Sequence, residues 1–361
     1  MATSSLIGQP ITAIPTPAPV ADLDLLEQNL RKLADYFSSR PCKLRPHFKS
    51  HKCVELSRRQ LAAGSCTGIT CAKLAEAEQL AAGGIADILI ANQVVGEDKA
   101  RRLAALNRKA TVRCAVDSVF STKQLSAAAT EAGVRIGVLI EVDIGMKRCG
   151  VQPGAPAIKL AQEISRLPGL RFDGIQSYEG HIVTLPDFEE RKQKVTQAFA
   201  AAVATRREVE SAGFPVAILS GGGTGTYDIT GTIEGIDELQ AGSYALMDWS
   251  YANIRPEFVV ARWILATVVS AHPTYSVVDV GTKGIGCEFG LPIIADHPEA
   301  KTRSSSEEHF AIDGLAAKVG EKVRLIPSHG CTTHNLHRQM WITRGDIIVD
   351  VWPIEGALCM E

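Results

Sequence analysis

From about residue 17 to residue 250 the chain repeats one pattern. A short apolar run is followed by a stretch with apolar residues at helical spacing, in units of roughly 25–30 residues. The apolar runs are "CKLRPHF", "CTGIT", "ADILIAN", "TVRCAV", "IGVLIEVD", "RFDGIQSY" and "VAILS". They are continuous rather than alternating, as strands buried on both faces require. Between them, "ADLDLLEQNLRKLADYF" has Asp22 placed as an N-cap. "AKLAEAEQLAAGG" and "DFEERKQKVTQAFAAAVATRREVESAG" both stop at glycine. This repetition predicts an α/β fold, a (β/α)8 TIM-like barrel over residues 17–250, with an open doubly wound sheet as the alternative.

After residue 250 the pattern changes. "FVVARWILATVVSAH", "TYSVVDVGT", "EKVRLIPSH", "RQMWITRG" and "IIVDVWPI" are β-branched or aromatic runs broken by Gly, Pro, Asp and Ser. They predict a C-terminal all-β domain over 251–361. The extended-looking segment of about residues 1–16 is expected to join it. "DHPEAKTRSSSEEHF" (296–310) reads as a polar loop.

Composition narrows the function classes. The chain has 361 residues, 45% hydrophobic and 22% charged, with a net charge of −2. That balance gives no electrostatic handle for nucleic acid or an anionic membrane. No apolar run approaches the roughly 18 residues of a bilayer span, and the N-terminus lacks the pattern of a secretory signal. Nine scattered cysteines without a Cys-x-x-Cys pair fit a reducing cytoplasm.

Six segments at predicted strand ends could carry chemistry, since barrel active sites gather there. The first, "RPHFKSHK" (45–52), carries Lys49 just past a strand. A lysine there can form a Schiff base. Arg45 and Lys52 would lower its pKa and suit an anionic cofactor, although the segment also reads as a solvated basic loop. The second, "EVDIGMKRCGV" (141–151), presents Asp143, Lys147 and Arg148, or simply paired surface charges. The third, "SYEGH" (177–181), presents Tyr178 and His181, which could equally be packed residues. The fourth, "LSGGGTGT" (219–226), sets Gly221, Gly222 and Gly223 between Ser220 and Thr224. Such a run frees backbone N–H groups for an anion, and a glycine-rich hairpin is the alternative. It lacks a P-loop lysine and does not fit G-x-G-x-x-G. The fifth, "ELQAGSYALMD" (238–248), holds Gly242 and Ser243. In the sixth, "SHGCTTHNLH" (328–337), His329 and Cys331 would share a face if extended, and imidazole with thiolate suits zinc or another borderline metal. Two protein ligands leave positions for substrate or water.

With these residues in view, the chain resembles the fold-type III pyridoxal-phosphate enzymes, in the D-threonine aldolase and D-serine dehydratase branch, relatives of alanine racemase. The likeness runs from "TPAPVADLDLLEQNL" to "DVWPIEG", and the order of its motifs is more specific than any one of them. It implies that Lys49 carries pyridoxal 5'-phosphate and that Arg148 sits against the cofactor's phenolic oxygen. Tyr178 joins the cofactor-binding set. It implies a phosphate cup of Ser220, Gly221, Gly222, Gly223 and Thr224 with Gly242, Ser243 and Tyr244. His329 and Cys331 match the divalent-metal pair (zinc, manganese or magnesium) of this branch. At the position where alanine racemase has an arginine facing the pyridine nitrogen, this chain has Gln240, and it shows no clear counterpart of the racemase's second-base tyrosine.

The resemblance implies a lyase acting on small D-β-hydroxy-α-amino acids. Retro-aldol cleavage gives glycine and an aldehyde and needs a base near the β-oxygen, with His181, His47, His51 or a metal-bound water as candidates. Dehydration of D-serine or 3-hydroxy-D-aspartate gives a keto acid and ammonia. "QSYEGH" and "ELQAGSYALMDWSY" are similar to the aldolases; the His-x-Cys pair is similar to the dehydratases, since aldolases usually show His-x-Asp. A non-catalytic pyridoxal-phosphate binder is the third reading, opposed by "SHGC". Members of this fold usually pair as homodimers with shared active sites, which is expected here by analogy alone.

Overall fold

The computed structural model describes residues 3–361. Met1 and Ala2, at the outer end of the segment expected to join the β domain, lie outside the described residues. The chain packs as two compact units. One comprises Met1–Leu33, Lys49–Leu56 and Ser243–Leu358; the other comprises Ala34–Phe48, Ser57–Gly242 and Cys359–Glu361.

The first strand, β1 (Ala18–Asp22), belongs to the first unit. Eight parallel strands make up the sheet of the second: β2 (Lys43–Leu44), β3 (Ile69–Cys71), β4 (Asp87–Gln93), β5 (Thr111–Val116), β6 (Ile136–Glu141), β7 (Leu170–Ser177), β8 (Ile218–Gly221) and β9 (Glu238–Leu239). Their order is β2-β9-β8-β7-β6-β5-β4-β3. Parallel bridges from Leu44 to Cys66 and from His47 to Thr70 bring the last strand back to the first, so the sheet closes. This is the expected barrel. Every residue of β6 is buried, which explains why its sequence shows an unbroken apolar run.

The barrel interior is not wholly apolar. Arg45 makes a bidentate pair with Glu238 (2.6 and 2.7 Å) and reaches Asp87 at 2.6 Å. Arg113 bridges Asp87 (2.8 Å) and Asp173 (2.7 Å). Arg45, just past β2, reaches Asp87 on β4, and Arg113 on β5 reaches Asp173 on β7, so each arginine pairs beyond its neighbouring strand and the charges meet across the interior. Glycines make the room: a Cβ at Gly68 would overlap the Arg45 guanidinium, and one at Gly137 would overlap the Asp173 carboxylate. The expectation that Arg45 is a cation available to Lys49 or to a phosphate is therefore corrected. Its guanidinium is buried and committed to two carboxylates.

The first unit holds a nine-stranded, mostly antiparallel sheet. Besides β1 it contains β10 (Arg262–Ala271), β11 (Tyr275–Val278), β12 (Ile293–Ile294), β13 (Lys301–Ser305), β14 (Phe310–Asp313), β15 (Lys322–Ile326), β16 (Gln339–Arg344) and β17 (Ile347–Pro353). Period-two alternation along β10 feeds two cores. Ile264, Ala266 and Val268 join Val278, Phe310 and Leu325; Trp263 and Leu265 join Val20, Trp341 and Ile348.

Three expectations change here. Residues 18–22, counted with the barrel, form β1 between β10 and β16. Asp22 still caps the following helix, accepting from the N–H groups of Asp24 and Leu25. The N-terminal segment joins β17 through Gly8, Gln9 and Ile11, but by way of 3-10 turns at Thr3–Leu6 and Ile11–Ala13 rather than as an extended chain. The polar stretch 296–310 contains β13, which pairs antiparallel with β14. β13 is an exposed edge strand with almost no apolar residue, so neither hydrophobicity nor alternation announces it.

Candidate active site

In the barrel unit the candidate residues gather at the C-terminal ends of β7, β8 and β9. Gly222 follows β8 with φ +74°, and a Cβ there would overlap the Leu239 side chain, so only glycine fits. A Cβ at Gly221 would overlap the Ser177 carbonyl, which is how closely β7 and β8 approach. Gly223 differs: its Cβ position is open to 3.8 Å, the distance to the Tyr178 ring. Thr224 then starts a 3-10 turn (Thr224–Thr226) that runs into a short helix, Tyr227–Thr230.

A buried carboxyl that sequence reasoning passed over holds this loop. Glu179, inside "SYEGH", is fully buried. Its Oε1 accepts from the hydroxyls of Thr226 (2.5 Å) and Thr230 (2.9 Å), and the Gly222 N–H also reaches it. Burial pushes its pKa up against those hydrogen bonds. Thr226 is thereby spent on the loop itself.

Gln240 donates to Ser220 Oγ (2.9 Å) and to Gln176 Oε1 (3.2 Å). The Ser177 hydroxyl is buried with no hydrogen-bond partner among the described residues. The Ser220 hydroxyl, the open Gly223 and the left-handed backbone at Gly222 form a set that fits a phosphate ester, whereas Ser177, paired with Gly221, faces the other side of the sheet. Arg148 is exposed, its guanidinium carbon 5.6 Å from the Tyr178 ring centroid. His181 is also exposed and has no hydrogen bond among the described residues; its ring lies 3.2 Å from where a Cβ at Gly145 would stand. His47 is buried, its N–H donating to the Ala241 carbonyl as part of the barrel closure.

The other unit holds Lys49, on the 3-10 turn Phe48–Ser50, together with Ser243 and Tyr244 on a second turn, Ser243–Ala245. Lys52, expected to act as a free cation, is buried with its ammonium on the Gly356 carbonyl (3.2 Å). His51 is spent too: its Nδ1 accepts from the Cys53 N–H, and its carbonyl accepts from His334 Nδ1.

His329 and Cys331 do meet, though not as neighbours on an extended face. Gly330–His334 is a short helix with His329 at its N-cap. Asp248 holds its start, accepting from the Gly330 N–H at 2.9 Å. A Cβ at Gly330 would overlap the guanidinium of buried Arg262. Arg262 donates to the carbonyls of Met247 (2.5 Å) and Ser50 (3.2 Å), and its Nη2 has no partner among the described residues.

Burial would push the Cys331 thiol up, but the hydrogen bond from His329 and the charges of His329, Lys49 and Arg262 outweigh it and pull it down. Burial would likewise disfavour charge on His329, yet Cys331 and Glu288 raise it to about 9. Each group thus favours the charged form of the other, which brings an imidazole and a thiol together with a lowered tendency of the thiol to hold its proton. Those donors fit a borderline divalent metal. No group of three or more His, Cys, Asp or Glu side chains able to hold a metal is found among the described residues, so the protein offers two ligands.

Comparison with known proteins agrees with this architecture. The alanine racemase N-terminal domain family matches residues 21–248, and the putative serine dehydratase domain matches 261–343. The chain is 37% identical to 3-hydroxy-D-aspartate aldolase of Paracoccus denitrificans (98% of this chain, 94% of the relative). It is also 37% identical to D-threonine aldolase of an Arthrobacter species (97% and 94%). The crystal structure of D-threonine aldolase from Filomicrobium marinum superimposes with a TM-score of 0.95 at 36% identity, covering 98% of this chain and 99% of that one. Dehydratase relatives are less similar, at 29% identity or below. The chain belongs to the alanine racemase N-terminal domain family, as a member that also carries the serine dehydratase domain.

Proposed function

We propose that the protein is a pyridoxal-phosphate- and divalent-metal-dependent lyase that cleaves D-β-hydroxy-α-amino acids to glycine and an aldehyde. The observation that carries this reading lies within one unit: buried Arg262 donates to the carbonyl of Ser50 (3.2 Å), next to Lys49, while its guanidinium packs against Gly330, between His329 and Cys331. The amine that would hold the cofactor and the pair that would hold the metal thus share one neighbourhood.

When bound, pyridoxal phosphate supplies an electron sink for carbanion character at Cα, and a divalent ion supplies a Lewis acid for the β-hydroxyl. The chain's own residues do the rest. Lys49 provides the attachment amine. Ser220, the glycine run Gly221–Gly223, Thr224, Gly242, Ser243 and Tyr244 bind the phosphate, with Glu179 fixing the loop from beneath. Arg148 and Tyr178, with the guanidinium carbon 5.6 Å from the tyrosine ring centroid, would hold the cofactor's ring, and Gln240 would offer it a neutral amide in place of a cation. Among the histidines read as bases, His47 is buried and His51 Nδ1 is occupied, whereas His181 has an uncommitted ring. His181 takes the β-hydroxyl proton in this reading.

A second reading rests on Cys331. The His-x-Cys pair is similar to that of the dehydratases, where aldolases usually show His-x-Asp, and on that reading the products are a keto acid and ammonia. One assay separates the two. Purified enzyme is incubated with D-threonine, D-serine and 3-hydroxy-D-aspartate, and glycine, aldehyde, keto acid and ammonia are measured. Glycine and aldehyde in equal amounts support the aldolase; keto acid and ammonia without glycine overturn it.

We further infer a cytoplasmic homodimer. Nine unbridged cysteines, four of them buried, support a reducing compartment. No helix among the described residues is long and apolar enough to cross a membrane.

A further inference from the structure

Glu288 lies in "GCEFG", a segment to which the sequence assigns no chemistry. Its Oε1 meets Nδ1 of His329 and also accepts from the Thr332 hydroxyl at 2.5 Å. Glycine at 286 permits this arrangement: a Cβ there would overlap Thr332 Oγ1 and come within 2.9 Å of Glu288 Oε2. Phe289 stacks on the His329 ring with centroids 4.7 Å apart and planes at 30°. The imidazole is therefore gripped on one edge by a carboxylate and on one face by an aromatic ring.

A carboxylate on Nδ1 keeps the proton there and leaves the lone pair on Nε2. We propose that Glu288 is a positioning residue that commits His329 to donating to the divalent ion through Nε2, on the side of Cys331, without itself touching the ion. This rests on the metal reading given above.

The test is a metal titration of the full-length enzyme, loaded with pyridoxal phosphate and stripped of metal by chelation. Zinc affinity is measured by dye competition, and cobalt is used to read the thiolate-to-metal absorbance. Glu288→Ala should weaken zinc binding about 10–100-fold. Glu288→Gln, whose amide oxygen still accepts from Nδ1–H, should recover most of that loss. The cofactor's absorbance should be unchanged in both variants. Zinc affinity of Glu288→Ala within about twofold of the parent overturns the proposal. So does Glu288→Gln binding as weakly as Glu288→Ala, which would make the charge itself the requirement. His329→Ala separates the layers: if it binds zinc as tightly as the parent, the metal reading fails, and the role of Glu288 fails with it.

Discussion

Lys49 and Cys331 respond to different losses if each has the role assigned to it. Lys49→Ala removes the attachment amine, so purified protein should lack the visible absorbance of bound pyridoxal phosphate. Cys331→Ala should keep that absorbance while losing most activity and the cobalt–thiolate signal. Absorbance that survives in Lys49→Ala would remove the lysine from its role. Gly222 makes a backbone case. Its φ of +74° and the Leu239 side chain leave no room for a Cβ. Gly222→Ala should cost about 1–3 kcal/mol in a denaturant titration and, on the proposed reading of this loop as the phosphate cup, weaken cofactor binding. Most of these positions were legible in the sequence because glycine runs, a strand-end lysine and a His-x-Cys pair are local signals. Glu179 and Glu288 were not. Each acts through partners distant in sequence: Thr226 and Thr230 for one, His329 and Thr332 for the other. Only the fold brings them together.

At the level of elements, the apolar runs located seven of the eight barrel strands, and the "ELQAGS" segment marked the eighth by its strand end. Burial on both faces makes such strands loud. β13 was silent because it is exposed and polar, and β1 was misassigned because an apolar strand does not declare its sheet. The charged barrel interior was equally hidden: Arg45 reads as a surface cation until Glu238 and Asp87 are placed around it. That interior gives a pH prediction. Burial would raise the Asp87 pKa, but Arg45 and Arg113 outweigh it and hold it below 3.8. A depressed carboxyl contributes stability that is present above its unfolded value and is lost as pH falls through its folded value. Asp87→Ala should therefore destabilise the protein at neutral pH by about 1 kcal/mol, since it takes one carboxylate from Arg45 and one from Arg113 while Glu238 and Asp173 remain. The gap between variant and parent should narrow below about pH 4. A gap that stays constant across that range, followed by urea unfolding, would show that the ion pairs contribute nothing specific to Asp87.

If the protein is the homodimer inferred above, the question for the whole molecule is which chain supplies which half of an active site. Shared sites in a homodimer leave two arrangements: Lys49 and the His329–Cys331 pair in the same chain, or the pair lent by the partner. Within one chain, Arg262 links the Ser50 carbonyl, next to Lys49, to Gly330, between His329 and Cys331, and all belong to one compact unit. That favours the first arrangement. Co-expressing Lys49→Ala and Cys331→Ala chains with different tags, and purifying the mixed species, distinguishes them. If both residues serve the same site from one chain, each site in the mixed dimer carries one lesion, and activity should not exceed that of the parent variants. If the pair is lent across the interface, one site collects both lesions and the other collects none, restoring about half the activity of the unmodified dimer. The geometry predicts no restoration. Recovery to half would place the metal pair in trans to Lys49 and would move the grip of Glu288 on His329 to the partner's side of each site.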